Sequence, residues 1–308
     1  MVSPSVAIPS VAVLLATYNG AAYCETQLTS ILWQRGIDVH VYARDDGSRD
    51  ATPAILRDWA ARYPDRITII DNQGVSTGSA NGNFFALLAA IDPARHDYLA
   101  FADQDDVWTP DKLARAVTRL TEEGAEGYSS DLIAYSAATG SAWLLHKAGQ
   151  PADLDYLFQG ASAGCTYVLT RRAATLAAAV MAQAPAFCAD ASHDWILYAI
   201  CRSHGLKWVR DPSAEILYRQ HGGNQYGAKR GTGELLGKLQ VMRSSWYRDH
   251  ILWLRHVVVN SEEERRVLDA IARGNPSDRL WLIRQAGRFR RTPAYVAQLR
   301  AAIALRMI

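Results

Sequence analysis

Two near-continuous apolar runs of strand length, Val11 to Ala16 and Tyr98 to Ala102, each stop abruptly at a polar turn. A strand of that kind has no face to show to water, so it must lie in a sheet covered on both sides. Strand and helix signals alternate around these runs. Leu28, Ile31 and Leu32 mark one helical face, and Val39 to Ala43 reads as a second strand. Thr52-Pro53 supplies an N-cap and a first-turn proline for a helix through Ile55, Leu56 and Trp59. Ile67 to Ile70 is a third strand, and a helix from about Asn83 to Ile91 precedes the fourth at Tyr98. Val107-Trp108-Thr109-Pro110 reads as the next helix start, with Thr109 as its cap. Such repeats predict a mostly parallel sheet joined by right-handed crossovers.

Past Leu120 the alternation loosens. Asp131 to Ser136, Cys165 to Thr170, Leu206 to Val209 and Glu215 to Tyr218 are predicted strands, with helices over Arg172 to Ala182 and around Leu197 to Cys201. From Gly233 onward only helical periodicity remains, broken near Gly274-Asn275-Pro276 and at Pro293. Five glycines between Gly222 and Gly233 set a boundary between an α/β domain over residues 1–228 and a basic helical region over 229–308. The formal net charge of +2 hides an asymmetry: residues 229–308 hold 16 Lys and Arg against 7 Asp and Glu, leaving 17 against 24 before them. The acidic main domain argues against a nucleic-acid groove. The basic segment, Arg284 to Arg291 above all, suits a peripheral contact with an anionic leaflet or a homodimer interface. No apolar stretch is long enough to span a bilayer, and the first ten residues lack a secretory-signal pattern. Cys24, Cys165, Cys188 and Cys201 show no paired spacing. These features predict a cytoplasmic protein with reduced thiols, peripheral at the inner face of the cytoplasmic membrane.

Chemistry concentrates where strands end. The first strand leads into Thr17-Tyr18-Asn19-Gly20, the second into Asp45-Asp46-Gly47-Ser48, and the fourth into Asp103-Gln104-Asp105-Asp106. Open α/β sheets bind ligands at the carboxyl ends of their strands. Three carboxylates within four positions repel one another and resist desolvation unless a cation offsets them. A hard divalent ion bridging to phosphates answers that need, and a solvated acidic turn with a helix cap is the plainer alternative. The chain lacks both G-x-G-x-x-G and G-x-x-x-x-G-K-[ST], which argues against a dinucleotide site or a P-loop.

Taken in order, Ala16-Thr17-Tyr18-Asn19-Gly20, Asp45-Asp46-Gly47-Ser48, Asp103-Gln104-Asp105-Asp106-Val107-Trp108, His193-Asp194-Trp195 and Tyr218-Arg219-Gln220-His221 resemble the motifs of a family 2 glycosyltransferase of the GT-A fold. The forms of the last three are similar to its bacterial rhamnosyltransferase-like branch. The resemblance implies a Rossmann-like, mostly parallel central sheet with a C-terminal helical extension. It implies an inverting hexosyltransferase that uses Mg2+ or Mn2+ and a nucleoside-diphosphate sugar. The acceptor it implies is a hydroxyl of a bacterial surface polysaccharide such as O-antigen, presented as a glycan or lipid-linked glycan. dTDP-L-rhamnose is the donor it favours, with a UDP-hexose or UDP-N-acetylhexosamine as the alternative on the same fold.

The same resemblance assigns roles. Asp105 is a metal ligand, Asp103 contacts the metal or the ribose, and His221 is a further ligand to the metal or diphosphate. Asp106 caps the following helix or supports the ligands. Thr17, Tyr18, Asn19, Asp46 and Gln104 belong to the nucleotide-sugar site, Arg219 neutralises phosphate, and Glu25 meets the base or supports its helix. Asp194 is the general base that takes the acceptor proton in a single inverting displacement. On the residues alone, Asp194 reads as the cap of the helix holding Trp195, Ile196 and Leu197. A sugar nucleotidylyltransferase would want a glycine-rich loop bearing Arg and Lys after the first strand, which Thr17 to Gly20 is not. A catalytically silent sugar-nucleotide or nucleic-acid binder is the non-enzyme alternative, opposed by the intact acidic turn and Asp194.

Overall fold

The computed structural model describes residues 7–186, 192–220 and 245–308. Its first half alternates as the sequence predicts: β1 (Ser10–Thr17), α1 (Cys24–Leu32), β2 (Asp38–Asp45), α2 (Thr52–Arg62), β3 (Ile67–Ile69), α3 (Ala80–Ala90) and β4 (Tyr98–Asp103). β5 (Val107–Trp108), α4 (Lys112–Glu123), β6 (Gly127–Ser136), β7 (Ser141–Leu145) and β8 (Val168–Thr170) follow. α5 (Arg171–Gln183), α6 (His193–Ser203) and β9 (Trp208–Arg219) complete the sheet and its cover. One sheet runs in the order β3-β2-β1-β4-β8-β6-β9-β5, with β7 paired to β6. β1 is parallel to both β2 and β4, so the direction of chain progression reverses between them. The crevice outside their carboxyl ends is the ligand position of an open α/β sheet. Register sharpens this: Thr17 stands beside Asp45 and Ala16 beside Asp103, which brings three polar turns to one rim.

Burial explains the apolar runs. Along β1, Leu14 and Ala16 pack into one hydrophobic cluster with α3, α5 and α6, while Val11, Val13 and Leu15 pack into another with α1, α2 and α4. β4 alternates in the same way, Leu99 and Phe101 against Ala100 and Ala102. Each large aliphatic side chain so buried contributes roughly 1.5–3 kcal/mol before entropy is counted.

Three local expectations give way to longer-range pairing. Thr109 does not cap a helix: Val107 and Trp108 pair with Leu217 and Ile216 of β9, and α4 begins only at Lys112. The Thr109 N–H donates to Glu215 O at 3.0 Å and its hydroxyl to the Glu215 carboxylate, which outweighs a cap worth about 1 kcal/mol. Thr52 opens α2 without a capping hydrogen bond, because its hydroxyl oxygen accepts the Gly20 N–H at 2.8 Å. The strands expected at Leu206–Val209 and Glu215–Tyr218 are one strand, β9, whose pairing with β6 steps from Asp211 to Ala214 and so passes over Pro212.

Beyond residue 244 the described chain is helical: α7 (Trp246–Trp253), α8 (Glu262–Arg273), α9 (Pro276–Phe289) and α10 (Pro293–Ala304). Ser261 and Glu264 form a capping box, and Asn275 and Thr292 cap the helices that Pro276 and Pro293 open. These helices share the first cluster with α6; Tyr247 and Ile251 join Trp195 there, and Phe289 stacks on Phe158 with ring centres 4.5 Å apart. Part of the basic run is paired within the chain. Arg288 pairs with Asp153 and Glu263, Arg291 with the fully buried Asp155, and Arg290 with Gln159 and the Tyr247 hydroxyl. No helix among the described residues is long and apolar enough to cross a membrane. The boundary expected at Gly222 to Gly233 lies outside the described residues, as do His221 and Cys188.

Candidate active site

The turn after β1 is tied to both neighbouring turns. Gln104 donates from Nε2 to Tyr18 O and accepts at Oε1 from Tyr18 N, both at 2.8 Å. That approach leaves no room at Gly20, where a Cβ would stand 2.1 Å from Gln104 Oε1. On the opposite side the Asn19 N–H donates to Ser48 Oγ, Asn19 Oδ1 accepts from Arg49 N, and the Ala21 N–H reaches Asp50. Asn19 sits at φ +48°, a left-handed conformation that asparagine tolerates better than most residues. Thr17 is buried with its hydroxyl on Asp45 at 3.1 Å, and Tyr18 is exposed at the rim. Asp46 is buried and fully engaged: it accepts from Arg44 at 2.9 Å, from the Thr77 and Gly78 N–H groups, and from the Ser76 and Thr77 hydroxyls. Burial alone would raise its pKa, but the Thr77 N–H, Arg44 and the two hydroxyls outweigh it and hold the carboxyl below its usual value. In this structure Asp46 anchors the loop 76–78 to β2. Glu25 is exposed in the first turn of α1, 3.5 Å from Trp59 Nε1.

The acidic turn is more enclosed than a solvated turn would be. Asp106 is fully buried and Asp105 nearly so, while Asp103 is half-buried. Burial, with the neighbouring Asp105 and Asp194 charges, pushes Asp103 up to about 7. Burial and the Asp103 and Asp105 charges raise Asp106 well above the usual carboxylate range. Oxygens of Asp103 and Asp106 and the Cys165 sulfur all lie within 4.8 Å of one another, and Asp106 Oδ2 has no hydrogen-bond partner among the described residues. Crowded, desolvated carboxylates with an orphaned oxygen fit a hard divalent cation, which would offset their repulsion. Arg219 closes this turn from β9: its N–H reaches Asp106 Oδ1 at 3.3 Å and its Nε donates to Asp105 O at 2.9 Å. Burial, then the Asp103 charge, raises the pKa of Tyr218 on the same strand.

Sequence reasoning misses Lys112 and Cys165. Lys112 is buried with Nζ 3.4 Å from the Trp108 ring centre, and burial pushes it down to about 7. A lysine at a helix start reads as solvated, and a cysteine with no paired spacing carries no signal.

Asp194 comes from the later part of the chain, in the first turn of α6 behind Ser192. His193 beside it is held by Asn81, whose Oδ1 accepts both the His193 N–H at 3.1 Å and ring Nδ1 at 2.7 Å. Its ring packs against Phe84 and Phe101, and burial pushes it down to about 4, so the imidazole is neutral. Gly164 must lack a side chain here, since a Cβ would stand 2.2 Å from His193 Nε2. Asp194 Oδ1 accepts the Trp195 N–H at 2.7 Å and the Ser192 hydroxyl, and the residue stays half-buried. Local bonding thus follows the helix-start reading, and the His193 ring sets this helix start against Phe101 of β4, two residues before Asp103. The fold therefore brings Thr17, Tyr18, Asn19, Gln104, Asp103, Asp105, Asp106 and Arg219 together at the strand ends, with the helix start that carries Asp194 packed against β4 through His193.

The family model described as Glycosyl transferase family 2 matches residues 12–176. Over 238 residues the chain is 35% identical to the dTDP-rhamnosyl transferase RfbG of Shigella flexneri, covering 77% of this chain and 82% of that protein. The chain is a family 2 glycosyltransferase. The glycosyltransferase is also 34% identical over 122 residues to the succinoglycan biosynthesis protein ExoO of Rhizobium meliloti (strain 1021), 39% of this chain and 32% of that one. Among solved structures it is similar to S. aureus TarS 1–349 in complex with UDP, with a TM-score of 0.58 at 14% identity over 96% of this chain and 86% of that one. That likeness concerns the fold, and it agrees with the GT-A architecture expected from the motifs. Asp194 and Arg219 lie beyond the segment matched by the family model.

Proposed function

We propose that this glycosyltransferase moves L-rhamnose from dTDP-L-rhamnose to a hydroxyl of a bacterial surface polysaccharide such as O-antigen, with inversion at the anomeric carbon. The extended similarity to RfbG supports the donor. The reaction reading is supported by one observation: the helix start that carries the half-buried Asp194 packs on the end of β4 through the His193 ring, 5.7 Å from the ring of Phe101, two residues before Asp103. The nucleotide lies along the rim formed by the turns after β1, β2 and β4, with Thr17, Tyr18 and Asn19 on one wall and Gln104 holding the Tyr18 backbone in place. The acceptor oxygen attacks C1 as the C1–O bond to the diphosphate breaks. Asp194 takes the hydroxyl proton, and the nucleoside diphosphate leaves with the bonding electrons. Asp103, Asp105 and Asp106 are the residues that would hold Mg2+ or Mn2+, which when bound offsets negative charge on the departing diphosphate. Arg219 adds a guanidinium beside the same turn, and His221, outside the described residues, belongs to the proposal as a further ligand. A lipid-linked acceptor would be met at the membrane surface by those C-terminal arginines that stay outside internal pairs.

Asp194→Asn tests the reading. Turnover of dTDP-L-rhamnose should fall by about 10²–10⁴-fold, the usual value of a general base, while calorimetric affinity for dTDP stays within about twofold. Turnover close to that of the parent would remove Asp194 from the role.

A further inference from the structure

We infer that helix α7 belongs to the catalytic apparatus and that His250 is a positioning residue for the turn carrying Asp194. The inference rests on the proposed role of Asp194. The residues flanking Asp194 are fixed from two directions. Asn81 of α3 holds His193 from one side. From the other, His250 Nε2 accepts the Ser192 N–H at 3.3 Å, and the fully buried His250 ring stacks flat on Trp195, centres 4.1 Å apart and planes 9° apart. Trp195 is in turn pinned by its own Nε1, which donates to Tyr156 O at 2.7 Å. One turn earlier on α7, Tyr247 packs against Trp195 with ring centres 5.4 Å apart, donates its hydroxyl proton to Phe158 O at 2.7 Å and accepts from Arg290.

Among the described residues Asp194 has only local hydrogen-bond partners, Trp195 N–H and the Ser192 hydroxyl, so its direction depends on how the backbone of 192–195 is held. A misplacement of about 1 Å in a reacting group costs on the order of a hundredfold in rate. His250 is suited to the task because it must accept, not donate, at Nε2; burial pushes it down to about 3 and keeps the ring neutral at working pH. None of α7 falls in the segment matched by the family model, so the motifs alone do not announce this contact.

Two variants of the full chain separate the components. His250→Phe keeps a stackable ring and removes the acceptor, and His250→Gln keeps an acceptor and removes the ring. Hydrogen–deuterium exchange of the amides of 192–196 should quicken about tenfold in His250→Phe, with β1 and β4 unchanged. Release of dTDP from dTDP-L-rhamnose, with water or octyl α-L-rhamnoside as acceptor, should lose about tenfold or more in kcat while donor KM stays within twofold. His250→Gln should recover kcat relative to His250→Phe. Unchanged exchange at 192–196 in a folded variant overturns the inference, as does a kcat within twofold of the parent or a loss confined to KM. If His250→Phe does not fold, the exchange and kcat of His250→Gln against Trp195→Phe decide the matter, with Trp195→Phe the slower and looser of the two. Asp194→Asn run alongside keeps the two claims apart. Activity in Asp194→Asn removes the base assignment, whereas inactive Asp194→Asn with fully active His250→Phe removes only the positioning role.

Discussion

Gly20→Ala probes how the donor rim is built. The new Cβ would stand 2.1 Å from Gln104 Oε1 and 2.4 Å from its Cδ, so the Gln104 side chain must leave. Leaving breaks two hydrogen bonds to the Tyr18 backbone, each 2.8 Å long. A typical intramolecular hydrogen bond contributes a net 0.5–1.5 kcal/mol, and Tyr18 is exposed enough for water to replace part of it, so the cost is about 1–2 kcal/mol. For a protein of this size that corresponds to a fall in Tm of roughly 1.5–3 °C. Gln104→Ala should cost about the same, because it removes the same two bonds. The double variant Gly20→Ala/Gln104→Ala should cost no more than either single one, since the Cβ then enters vacated space. The expected coupling is therefore about 1–2 kcal/mol, measured by a double-mutant cycle in guanidinium chloride. Additive costs, or a neutral Gly20→Ala, would refute the clamp. The same variants should weaken dTDP binding, because Tyr18 and Asn19 sit on the displaced turn.

Acid should weaken the fold through its buried histidines. The folded pKa values of His193 and His250, about 4 and about 3, lie below the unfolded value of 6.5, so the unfolded chain binds more protons in between. Their contribution is complete above about pH 6.5 and is lost as pH falls, by roughly 3 kcal/mol for His193 alone at 1.36 kcal/mol per unit. The stability gap between the parent and His250→Phe should therefore narrow from pH 7 to pH 4.5 in denaturant titrations, and a constant gap would contradict the neutral-ring account. Asp105→Ala should abolish the Mn2+-dependent part of the thermal stabilisation given by dTDP, a term of about 2.7 kcal/mol for a ligand at 100 times its Kd. Retention of that term would free Asp105 from metal binding.

The architecture was legible because it is written locally. The unbroken apolar runs of β1 and β4 announced two-sided burial, and the polar residues at their ends announced the rim. What escaped depends on partners far away in the chain. Thr109 carries the signature of a cap, yet Glu215, more than a hundred residues on, claims its hydroxyl. Asp46 looked like a carboxylate offered to a ligand, and the structure binds it to Arg44 and the 76–78 loop. Gln104 stood in a motif of carboxylates, and its amide is matched instead to the backbone of Tyr18. The acidic turn was recognised as a unit, but only the fold brings Asp103 to Asp106 and Cys165 and lets Lys112 be buried over Trp108. The arginines from Arg284 to Arg291 read as a surface for an anionic leaflet or a second copy, while three of them, Arg288, Arg290 and Arg291, pair within the chain.

Donor turnover by the purified protein decides between a dTDP-L-rhamnose transferase and one that uses a UDP-sugar. dTDP-L-rhamnose, UDP-glucose and UDP-N-acetylglucosamine are each supplied with and without Mn2+, and released nucleotide is followed by mass spectrometry. The expected result is metal-dependent release of dTDP from dTDP-L-rhamnose, far above either UDP-sugar, and its loss in Asp194→Asn. Release of UDP with dTDP-L-rhamnose untouched, or turnover unaffected by removal of Asp194, would contradict it.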